Sequence, residues 1–391
     1  MRAQPSVKRG EGWAAETLAV LAPSPDRVTP PCPHFPACGG CSLQHWATAP
    51  YRAWKSGLLD AALRRAGFTP ELAPIRCTPP HARRRMDFAV HRDGRTVRLG
   101  LHAPRSTAVI DLTDCQVLHP TLAALLPPLR TVLGGLNALR RDGSLVANLL
   151  GAKPDLLLRS DGDLTTADRS KLAGFAVAHD IPRIAWARGD GTPETACQTH
   201  APTVTFGHVL VTPPPGAFLQ ASAEGEAALV EAVLAGLPAK LVNRSRIADL
   251  YAGCGTFSFA LAGRARVAAY EGDAPSVTAL RAGANAAGLA GRVEAHARDL
   301  ARQPLSAKEL SAFATVVLDP PHGGALAQVS NIAASGVARV IYVSCNPAAL
   351  ARDAKLLHDA GYNLLSATPI DQFLWSARLE SVAVFAARSH T

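Results

Sequence analysis

The chain has 391 residues, of which 48% are hydrophobic and 18% are charged, a balance typical of a globular protein with two or three domains. Charges or prolines interrupt every apolar run before it reaches transmembrane length, and the N-terminus lacks the apolar core of a signal peptide, so we expect a cytoplasmic protein without membrane partners. The net charge of +9 suits a polyanionic partner, although an arginine-rich proteome gives the same excess.

Residues 1–31 form a polar leader in which only residues 16–21 have the pattern of a strand. Four prolines near its end are typical of a linker, namely Pro23, Pro25, Pro30 and Pro31. We therefore expect one strand and a connection here, and no independent domain.

The next segment carries a C-x5-C-x2-C array formed by Cys32, Cys38 and Cys41, with two glycines before the last cysteine. These glycines would let the loop curl so that the thiolates converge on one centre. In a cytoplasmic chain, clustered cysteines favour a metal site or catalysis over disulfides. Candidates for a fourth ligand are His34, His45, Cys77 and Cys115. From these residues alone, a [4Fe–4S] cluster and a structural zinc ion are equally compatible with the array.

Arginines are concentrated in and after the strand-like segment 81–90. The set comprises Arg83, Arg84, Arg85, Arg92, Arg95, Arg98 and Arg105. If these strands share one sheet, alternate arginines share a face, and that face would bind phosphate. A solvated sheet face is the equal alternative.

Residues 121–212 predict a small α+β region without visible chemistry. The expected helices cover 121–139, with a break near Pro127, and 165–179. The expected strands cover 145–150, 155–159, 183–188, 203–206 and 208–211.

From residue 213 onwards, strands and helices alternate, which predicts a doubly wound parallel sheet. The expected strands are 247–250, 267–270, 293–297, 315–318 and 340–343, followed by a final pair at 363–368 and 381–386. Ligands of such sheets bind at the carboxyl ends of the strands. Glu271, Asp299, Asp319 and Cys345 all follow predicted strands at this edge.

The segment 249–255 has the pattern D-x-x-x-G-x-G between a buried strand and a helix. Its glycines allow a tight turn, and the helix N-terminus adds free N–H groups at the same place. Glu271, at the end of the next strand, is placed to bind a ribose. A dinucleotide fingerprint would need a third glycine where Ser258 stands. The pattern instead resembles motif I of the S-adenosylmethionine-dependent methyltransferases.

Further motifs sharpen this resemblance. Residues 343–353 read V-S-C-N-P-x-x-L-x-R-D, and F-x-Q at 218–220 and L-D-P-P at 318–321 accompany them. Together with motif I, this combination resembles the RNA 5-methyluridine (uracil-C5) methyltransferases. The C-x5-C-G-G-C array and the D-C-x-V-L at Cys115 resemble the iron–sulfur, ribosomal RNA branch of that family, since its transfer RNA enzyme lacks these cysteines. The likeness covers residues 32–387.

The resemblance implies a role for each matched residue. Cys345 would add to carbon 6 of uracil as the nucleophile, and Glu380 would remove the proton from carbon 5. The positions that match the binding site for S-adenosylmethionine are Gln220, Tyr251, Thr256, Glu271, Asp299 and Asp319. The ligands of a structural [4Fe–4S] cluster would be Cys32, Cys38, Cys41 and Cys115. The implied partner is ribosomal RNA of the 23S type, bound by a monomer.

The resemblance also implies a domain order: a leader at 1–31 in place of the family's TRAM barrel, an iron–sulfur and RNA-binding α+β domain at 32–212, and a Rossmann-like methyltransferase domain at 213–391. Two departures stand out. His322 replaces the arginine of the more usual D-P-P-R, and 373–378 replaces the usual F-P-H-T-x-H before Glu380. Methylation of transfer RNA, methylation of cytosine C5, and an inactive iron–sulfur RNA-binding protein remain the alternatives.

Overall fold

The computed structural model describes residues 2–9, 12–241 and 245–388. It begins with β1 (Arg2–Arg9) and β2 (Gly12–Ala19), which pair in antiparallel fashion as a two-stranded sheet. The sequence predicted one strand in this leader. The first strand was missed because it is a polar run without apolar alternation, and hydrogen bonding between backbones is what defines it. Among the described residues, no helix is long and apolar enough to cross a lipid bilayer.

A seven-stranded sheet forms the centre of the N-terminal half. The elements up to residue 211 are α1 (Thr48–Arg65), β3 (Arg76–Cys77), β4 (Arg85–Asp93), β5 (Thr96–His102), β6 (Val109–Asp111), α2 (Pro120–Ala123), α3 (Leu126–Gly134), β7 (Asp142–Leu150), β8 (Lys153–Ser160), α4 (Thr166–Ala178), β9 (Arg183–Arg188), β10 (Glu194–Gln198), β11 (Val204–Phe206) and β12 (Val209–Val211). The sheet has the order β10-β9-β8-β7-β4-β5-β6, and only β8 and β9 are parallel neighbours. The predicted helix 121–139 is divided, but the break lies at residues 124–125, and Pro127 stands in the first turn of α3.

Side chains of this sheet alternate between two faces. Leu156 and Leu158 of β8 are buried against a core that includes Leu172 of α4, whereas Leu157 belongs to a small separate cluster with Val146. Helix α4 begins as the sequence predicted, because Thr165 accepts a hydrogen bond from the Asp168 amide in a capping box. The face with the larger core is therefore the one covered by helices.

The C-terminal half contains the predicted alternation of strands and helices. Its elements are α5 (Ala223–Ala235), β13 (Arg246–Leu250), α6 (Thr256–Ala262), β14 (Arg266–Glu271), α7 (Ala274–Ala286), β15 (Val293–Ala297), α8 (Ala307–Leu310), β16 (Thr315–Leu318), α9 (Leu326–Ser335), β17 (Arg339–Ser344), α10 (Pro347–Asp359), β18 (Tyr362–Asp371) and β19 (Glu380–Ala387). The order is β15-β14-β13-β16-β17-β19-β18-β3, with β19 antiparallel to both neighbours. The mixed α/β fold predicted for this half is thus confirmed, with one antiparallel strand that the pattern did not indicate.

Both faces of this sheet are buried. Ile247 and Val317 face one apolar cluster, whereas Ala248 and Val316 face a second cluster on the opposite side. Strands covered on both faces are expected to be continuous apolar runs, as these are. The carboxyl ends of β13, β14, β16 and β17 remain as the edge at which polar side chains meet.

Residues from the N-terminal half of the chain also pack against this C-terminal sheet. Leu59 and Leu63 of α1 lie in the same apolar cluster as Leu357 of α10. Strand β3 extends the sheet beside β18, with Cys77 opposite Asp371. On the other face, the β11–β12 hairpin contributes Phe206 to the core. Residues 48–77 and 204–211 therefore pack with the C-terminal sheet, although they precede residue 213.

A buried ion pair fixes α1 to this sheet. Lys55 is fully buried, and its Nζ lies 2.7 Å from Asp371 Oδ1 and donates to the carbonyl oxygens of Phe373 and Arg378. Tyr51 Oη donates to the other carboxylate oxygen of Asp371 at 2.5 Å. The pair is thus fully satisfied by hydrogen bonds, which is the condition under which buried charges are tolerated.

Replacing Lys55 with methionine is expected to lower the free energy of unfolding by about 3–5 kcal/mol, because Asp371 would be left as a buried charge without its cation. Urea denaturation measures this loss. Lys355→Met is the matched control, since Lys355 pairs with Asp359 on the exposed side of α10 and such pairs contribute at most about 1 kcal/mol. Equal losses in the two variants would contradict the assigned role.

Candidate active site

The loop that follows β13 has an unusual backbone. Tyr251, Gly253 and Gly255 have φ angles of 64°, 55° and 103°, all in the left-handed region. A non-glycine residue in this region costs about 1–3 kcal/mol and is held by its surroundings. Gly255 precedes Thr256, the first residue of α6, and a Cβ at Gly255 would lie 2.5 Å from the Phe259 ring. Glycine at 255 is therefore required both by φ and by space.

Gly255→Ala is expected to destabilise the protein by more than Gly288→Ala, which follows α7 and carries only the strain of positive φ, about 1–2 kcal/mol. At Gly255 the added methyl must also displace Phe259, which shifts the start of α6. We expect binding of S-adenosylmethionine to weaken at least about tenfold in Gly255→Ala alone, measured by titration calorimetry. Unchanged affinity would contradict a cofactor role for this loop.

Acidic side chains surround the loop. Glu271 Oε2 accepts a hydrogen bond from the Gly253 amide at 2.9 Å, and its Oε1 accepts from the Asp273 amide at 2.8 Å. Asp299 accepts from two amides that follow it, the nearer at 3.0 Å. Burial, and then the neighbouring carboxylates, raises the pKa of Tyr251 to about 12. Each ionised carboxylate retains lone pairs beyond these contacts, so hydroxyl groups of a ligand would still find acceptors.

A chain of side-chain hydrogen bonds connects four residues beside this loop. Gln220 Nε2 donates to Asp319 Oδ2 at 3.1 Å, and its Oε1 accepts from Gln372 Nε2 at 2.7 Å. Gln372 Nε2 also lies 3.1 Å from Glu380 Oε1, and Gln372 Oε1 accepts from the Ala221 amide. Because the backbone amide of Ala221 donates to Gln372 Oε1, the NH₂ group of Gln372 faces both Gln220 and Glu380.

Of the two carboxyl groups of this chain, Glu380 is buried and Asp319 is half-buried. Burial raises the pKa of Glu380 and of Asp319, and the charge of Asp319 raises that of Glu380 further. The second oxygen of Glu380, Oε2, has no hydrogen-bond partner among the described residues. A buried polar atom without a partner is uncommon in folded proteins and indicates strain or a functional role. The arrangement suits a carboxyl group that exchanges a proton with a ligand near neutral pH.

Cys345 follows β17 directly and is half-buried. Its Sγ lies 3.6 Å from Nδ1 of the exposed His322. Burial raises the pKa of the Cys345 thiol above its ordinary value, and the charges of Glu380 and Asp319 raise it further. Asn346, the next residue, caps α10 by accepting from the Ala348 amide at 3.0 Å. The chain therefore places a thiol at the same edge of the sheet as the carboxyl groups of Asp319 and Glu380.

The cofactor and catalytic residues expected from the sequence fall into two neighbouring groups. Gln220 and Asp319 belong to the hydrogen-bonded chain that ends on Glu380. The charges of Asp319 and Glu380 raise the pKa of Cys345, which lies beside them. The second group comprises Tyr251, Glu271 and Asp299, with Thr256 at the start of α6. Sequence reasoning missed Gln372, which carries no motif, and saw His322 only as a departure from arginine.

The four predicted cluster cysteines converge, but without the geometry of a metal site. In the described ranges, no three His, Cys, Asp or Glu residues are grouped so that they could hold a metal ion. Burial raises the pKa of Cys41 to about 11, and Cys115, Cys38 and Cys32 raise it further. Cys115 thus lies close to the array, from which it is separated by more than seventy residues.

The double glycine of the array serves a different purpose from the predicted one. Neither Gly39 nor Gly40 has a positive φ. A Cβ at Gly39 would lie 2.5 Å from the His102 carbonyl oxygen, and one at Gly40 would lie 2.7 Å from Leu101. Close packing against β5, and not curling of the loop, is therefore what requires these glycines.

The cysteine loop also contacts the segment before Glu380. The amides of Ser42 and Leu43 both donate to the Trp375 carbonyl oxygen at 2.9 Å. Trp375 has a φ of 58°, and its amide donates to Tyr51 Oη. Residues 373–378, which replace the usual family motif, are thus held by the N-terminal half of the chain.

The prediction that these arginines share a phosphate-binding face is wrong for part of the set. Arg84 is buried, where it pairs with Glu226 at 2.5 Å and donates to the Gln220 carbonyl oxygen. Arg92 donates to the carbonyl oxygens of Leu136 and Leu139. These side chains stabilise the fold because they satisfy backbone carbonyls that the strand pattern does not reveal. The exposed members of the set are Arg95, Arg98 and Arg105.

Comparisons with known proteins agree with the geometry. The family model described as tRNA (Uracil-5-)-methyltransferase matches residues 213–388. A relative named as an uncharacterized RNA methyltransferase of Caulobacter vibrioides is 40% identical over 382 residues, covering 96% of this chain and 90% of that protein. A relative named 23S rRNA (uracil(1939)-C(5))-methyltransferase, of Chromohalobacter salexigens, is 38% identical and covers 94% of this chain and 78% of that protein.

A solved structure resembles the whole chain. The Pyrococcus abyssi tRNA (uracil-54, C5)-methyltransferase in complex with S-adenosyl-L-homocysteine superposes with a TM-score of 0.70 at 20% identity, covering 99% of this chain and 92% of that chain. This likeness shows a shared methyltransferase fold. The relatives that match almost the full length confirm what the motifs indicated: the chain belongs to the RNA uracil-5-methyltransferase family.

Proposed function

We propose that this protein transfers a methyl group from S-adenosylmethionine to carbon 5 of a uridine in 23S ribosomal RNA, through a covalent bond between Cys345 and carbon 6. The observation that carries the proposal is the placement of Cys345 beside the buried Glu380 and the half-buried Asp319. Family membership supplies the reaction class, and these residues are the ones that such a reaction needs.

The chemistry explains why a thiol is needed. Carbon 5 of uracil is a weak nucleophile, and addition of the Cys345 thiolate at carbon 6 turns carbons 5 and 4 into an enolate. S-adenosylmethionine supplies an electrophilic methyl group when bound. Glu380 then removes the proton from carbon 5, and the bond between sulfur and carbon 6 breaks to release the thiolate. A base whose pKa burial has raised towards neutrality is suited to this step.

We propose that the cofactor lies across the loop after β13. Glu271 would bind the ribose hydroxyls, and Asp299 would lie near the adenine. Gln220 and Asp319 would border the reactive end, because both belong to the hydrogen-bonded chain that ends on Glu380. Tyr251 and Thr256 would line the remaining wall. The carboxylate lone pairs and the three positive φ angles of this loop fit such a ligand.

For the second cofactor, we propose a structural [4Fe–4S] cluster held by Cys32, Cys38, Cys41 and Cys115. Cys115 and Cys32 raise the pKa of Cys38, and with Cys38 they raise that of Cys41, so four thiolates would need a compensating metal charge. The cluster would supply rigidity, because its loop holds the backbone at Trp375 that leads to Glu380. Analysis of iron, acid-labile sulfide and zinc after anaerobic purification tests this: four irons per chain, lost in Cys38→Ser, would support it, and stoichiometric zinc would overturn it.

The substrate is inferred from a relative whose name specifies 23S rRNA. Transfer RNA is the second candidate, because the family model and the Pyrococcus abyssi structure both carry that substrate in their descriptions. Nucleoside mass spectrometry of both RNA classes from a deletion strain and its parent distinguishes the two. Loss of 5-methyluridine from rRNA alone supports the proposal, loss from tRNA replaces the substrate, and unchanged 5-methyluridine overturns the proposed reaction.

A further inference from the structure

We propose that His322 holds Cys345 in its thiolate form by donating a hydrogen bond from Nδ1 to the sulfur. The inference rests on the proposed role of Cys345 as the nucleophile. It gives a task to the residue at which this chain departs from the D-P-P-R motif. Since the ring contacts the reacting sulfur atom, His322 would be part of the catalytic machinery.

The contact itself is direct. His322 Nδ1 lies 3.6 Å from Cys345 Sγ, which is within the range of hydrogen bonds to sulfur. His322 is exposed and Cys345 is half-buried, so a proton released by the thiol can reach water. The pair therefore lies at the solvent-exposed carboxyl edge of the sheet, where a nucleobase would arrive from solvent.

The neighbouring Asn346 favours the tautomer that the proposal needs. Its Oδ1 accepts from the Ala348 amide at 3.0 Å, which fixes the orientation of the amide group. Its Nδ2 therefore faces His322, 2.9 Å from the carbonyl oxygen and 3.5 Å from ring Nε2. A donor opposite Nε2 favours the neutral ring with its hydrogen on Nδ1, directed at the sulfur.

Helix α10 also fixes the loop that carries His322. Arg352 Nη2 donates to the Gly323 carbonyl oxygen at 2.9 Å. Asp353 Oδ2 accepts from the Ala325 amide at 2.7 Å and from Tyr342 Oη. The Arg and Asp that end the V-S-C-N-P-x-x-L-x-R-D motif therefore both contact the segment after Asp319. The loop that carries His322 is therefore fixed by hydrogen bonds to α10.

The charges around the pair make a donor necessary. Glu380 on β19 and Asp319 after β16 both raise the pKa of the Cys345 thiol, in addition to burial. The backbone amide of Cys345 and, more weakly, the charge of Arg378 act in the opposite direction. From α10, Arg352 and Asp353 face the His322 loop with opposite charges that form an ion pair with each other. His322 is thus a side chain in direct contact with the sulfur that can add to the backbone donor in offsetting the carboxylates.

The proton balance is simple. The thiol proton passes to water, and the Nδ1–H group stabilises the negative sulfur without losing its own hydrogen. The thiolate then adds to carbon 6 of the base. When the carbon–sulfur bond breaks at the end of the cycle, the sulfur leaves as a thiolate and returns to the same N–H donor.

The test is the rate at which iodoacetamide alkylates Cys345 between pH 6 and pH 11, in the full-length protein without RNA. Trypsin releases residues 340–352 as a peptide whose single cysteine is Cys345, so mass spectrometry follows this thiol alone. The midpoint of the profile reports the thiol pKa, and the plateau at high pH reports access to the sulfur. The variants are His322→Ala, His322→Asn and, as a control, His208→Ala in the exposed turn between β11 and β12.

We expect His322→Ala to raise the midpoint by about one pH unit or more, which slows alkylation about tenfold at pH 7.5 with an unchanged plateau. His322→Asn, which keeps an N–H donor near the position of Nδ1, should return the midpoint towards the wild-type value, and His208→Ala should match the wild type. Equal midpoints in His322→Ala and wild type overturn the proposal. A shift that His322→Asn leaves unreduced also overturns it, because the ring charge would then be responsible. Methyl transfer by a Cys345→Ala variant would instead overturn the proposed function, and the alkylation profile does not depend on that result.

Discussion

Cys345→Ala is expected to reduce methyl transfer to RNA by a factor on the order of 10⁴ or more, as removal of a covalent nucleophile does in other enzymes. Without the thiol, carbon 5 of uracil is not activated and the later steps have no substrate. Affinity for S-adenosylmethionine should remain close to that of the wild type, because the loop proposed to bind the cofactor follows β13, whereas Cys345 follows β17. Transfer of a radiolabelled methyl group to RNA and titration calorimetry measure the two quantities.

The control for this variant is Cys197→Ala, on strand β10 of the other sheet and remote from the proposed site. It should retain full activity. Substantial turnover by Cys345→Ala would exclude a covalent mechanism through this residue. Loss of cofactor affinity together with activity would mean that the substitution disturbs the fold instead of removing a nucleophile.

Glu380→Gln is expected to slow turnover by about 10²–10⁴-fold, the usual contribution of a general base. Addition and methyl transfer do not need this base, so the enzyme should accumulate bound to methylated RNA through Cys345. A protein–RNA complex that survives denaturing electrophoresis and carries the labelled methyl group would demonstrate this. The exposed Glu231, which pairs with Arg76, supplies the control Glu231→Gln.

The same substitution has a predictable effect on stability. Burial raises the pKa of Glu380 in the folded state, so between its ordinary value and the raised one the folded protein binds a proton that the unfolded chain has released. Stability conferred by this group is therefore present at low pH and is lost as pH rises through the raised pKa. We expect Glu380→Gln to exceed the wild type in melting temperature at pH 8 and to lose this advantage at pH 5. An advantage that grows on acidification would contradict the direction of the pKa shift.

Much of the C-terminal sheet was predictable because its chemistry is local. Residues 316–318 form a continuous apolar run because both faces of the strand are covered, and the acids at strand ends follow from the geometry of parallel sheets. The resemblance then assigned Cys345 and Glu380 by position. The antiparallel insertion of β19 leaves no trace in the sequence, since its apolar pattern is the same in either direction.

What the sequence did not reveal depends on contacts between distant segments. Arg84 looks like its neighbours in a basic stretch, and only its approach to Glu226 shows that it is an internal ion pair. Gln372 gains its significance from lying between Gln220 and Glu380. The contact of His322 with Cys345 depends on how two loops pack after their strands. Periodicity and motif spacing carry no information about such encounters.

The packing of α1 against α10 bears on how the chain folds during translation. The apolar side of α1, with Leu59 and Leu63, leaves the ribosome roughly 280 residues before the helix it packs against, a delay on the order of tens of seconds at ordinary elongation rates. Lys55 waits longer still for Asp371, which follows it by 316 residues. During synthesis this helix is therefore an exposed apolar surface, and we expect the nascent chain to depend on chaperone protection until β18 and β19 have emerged.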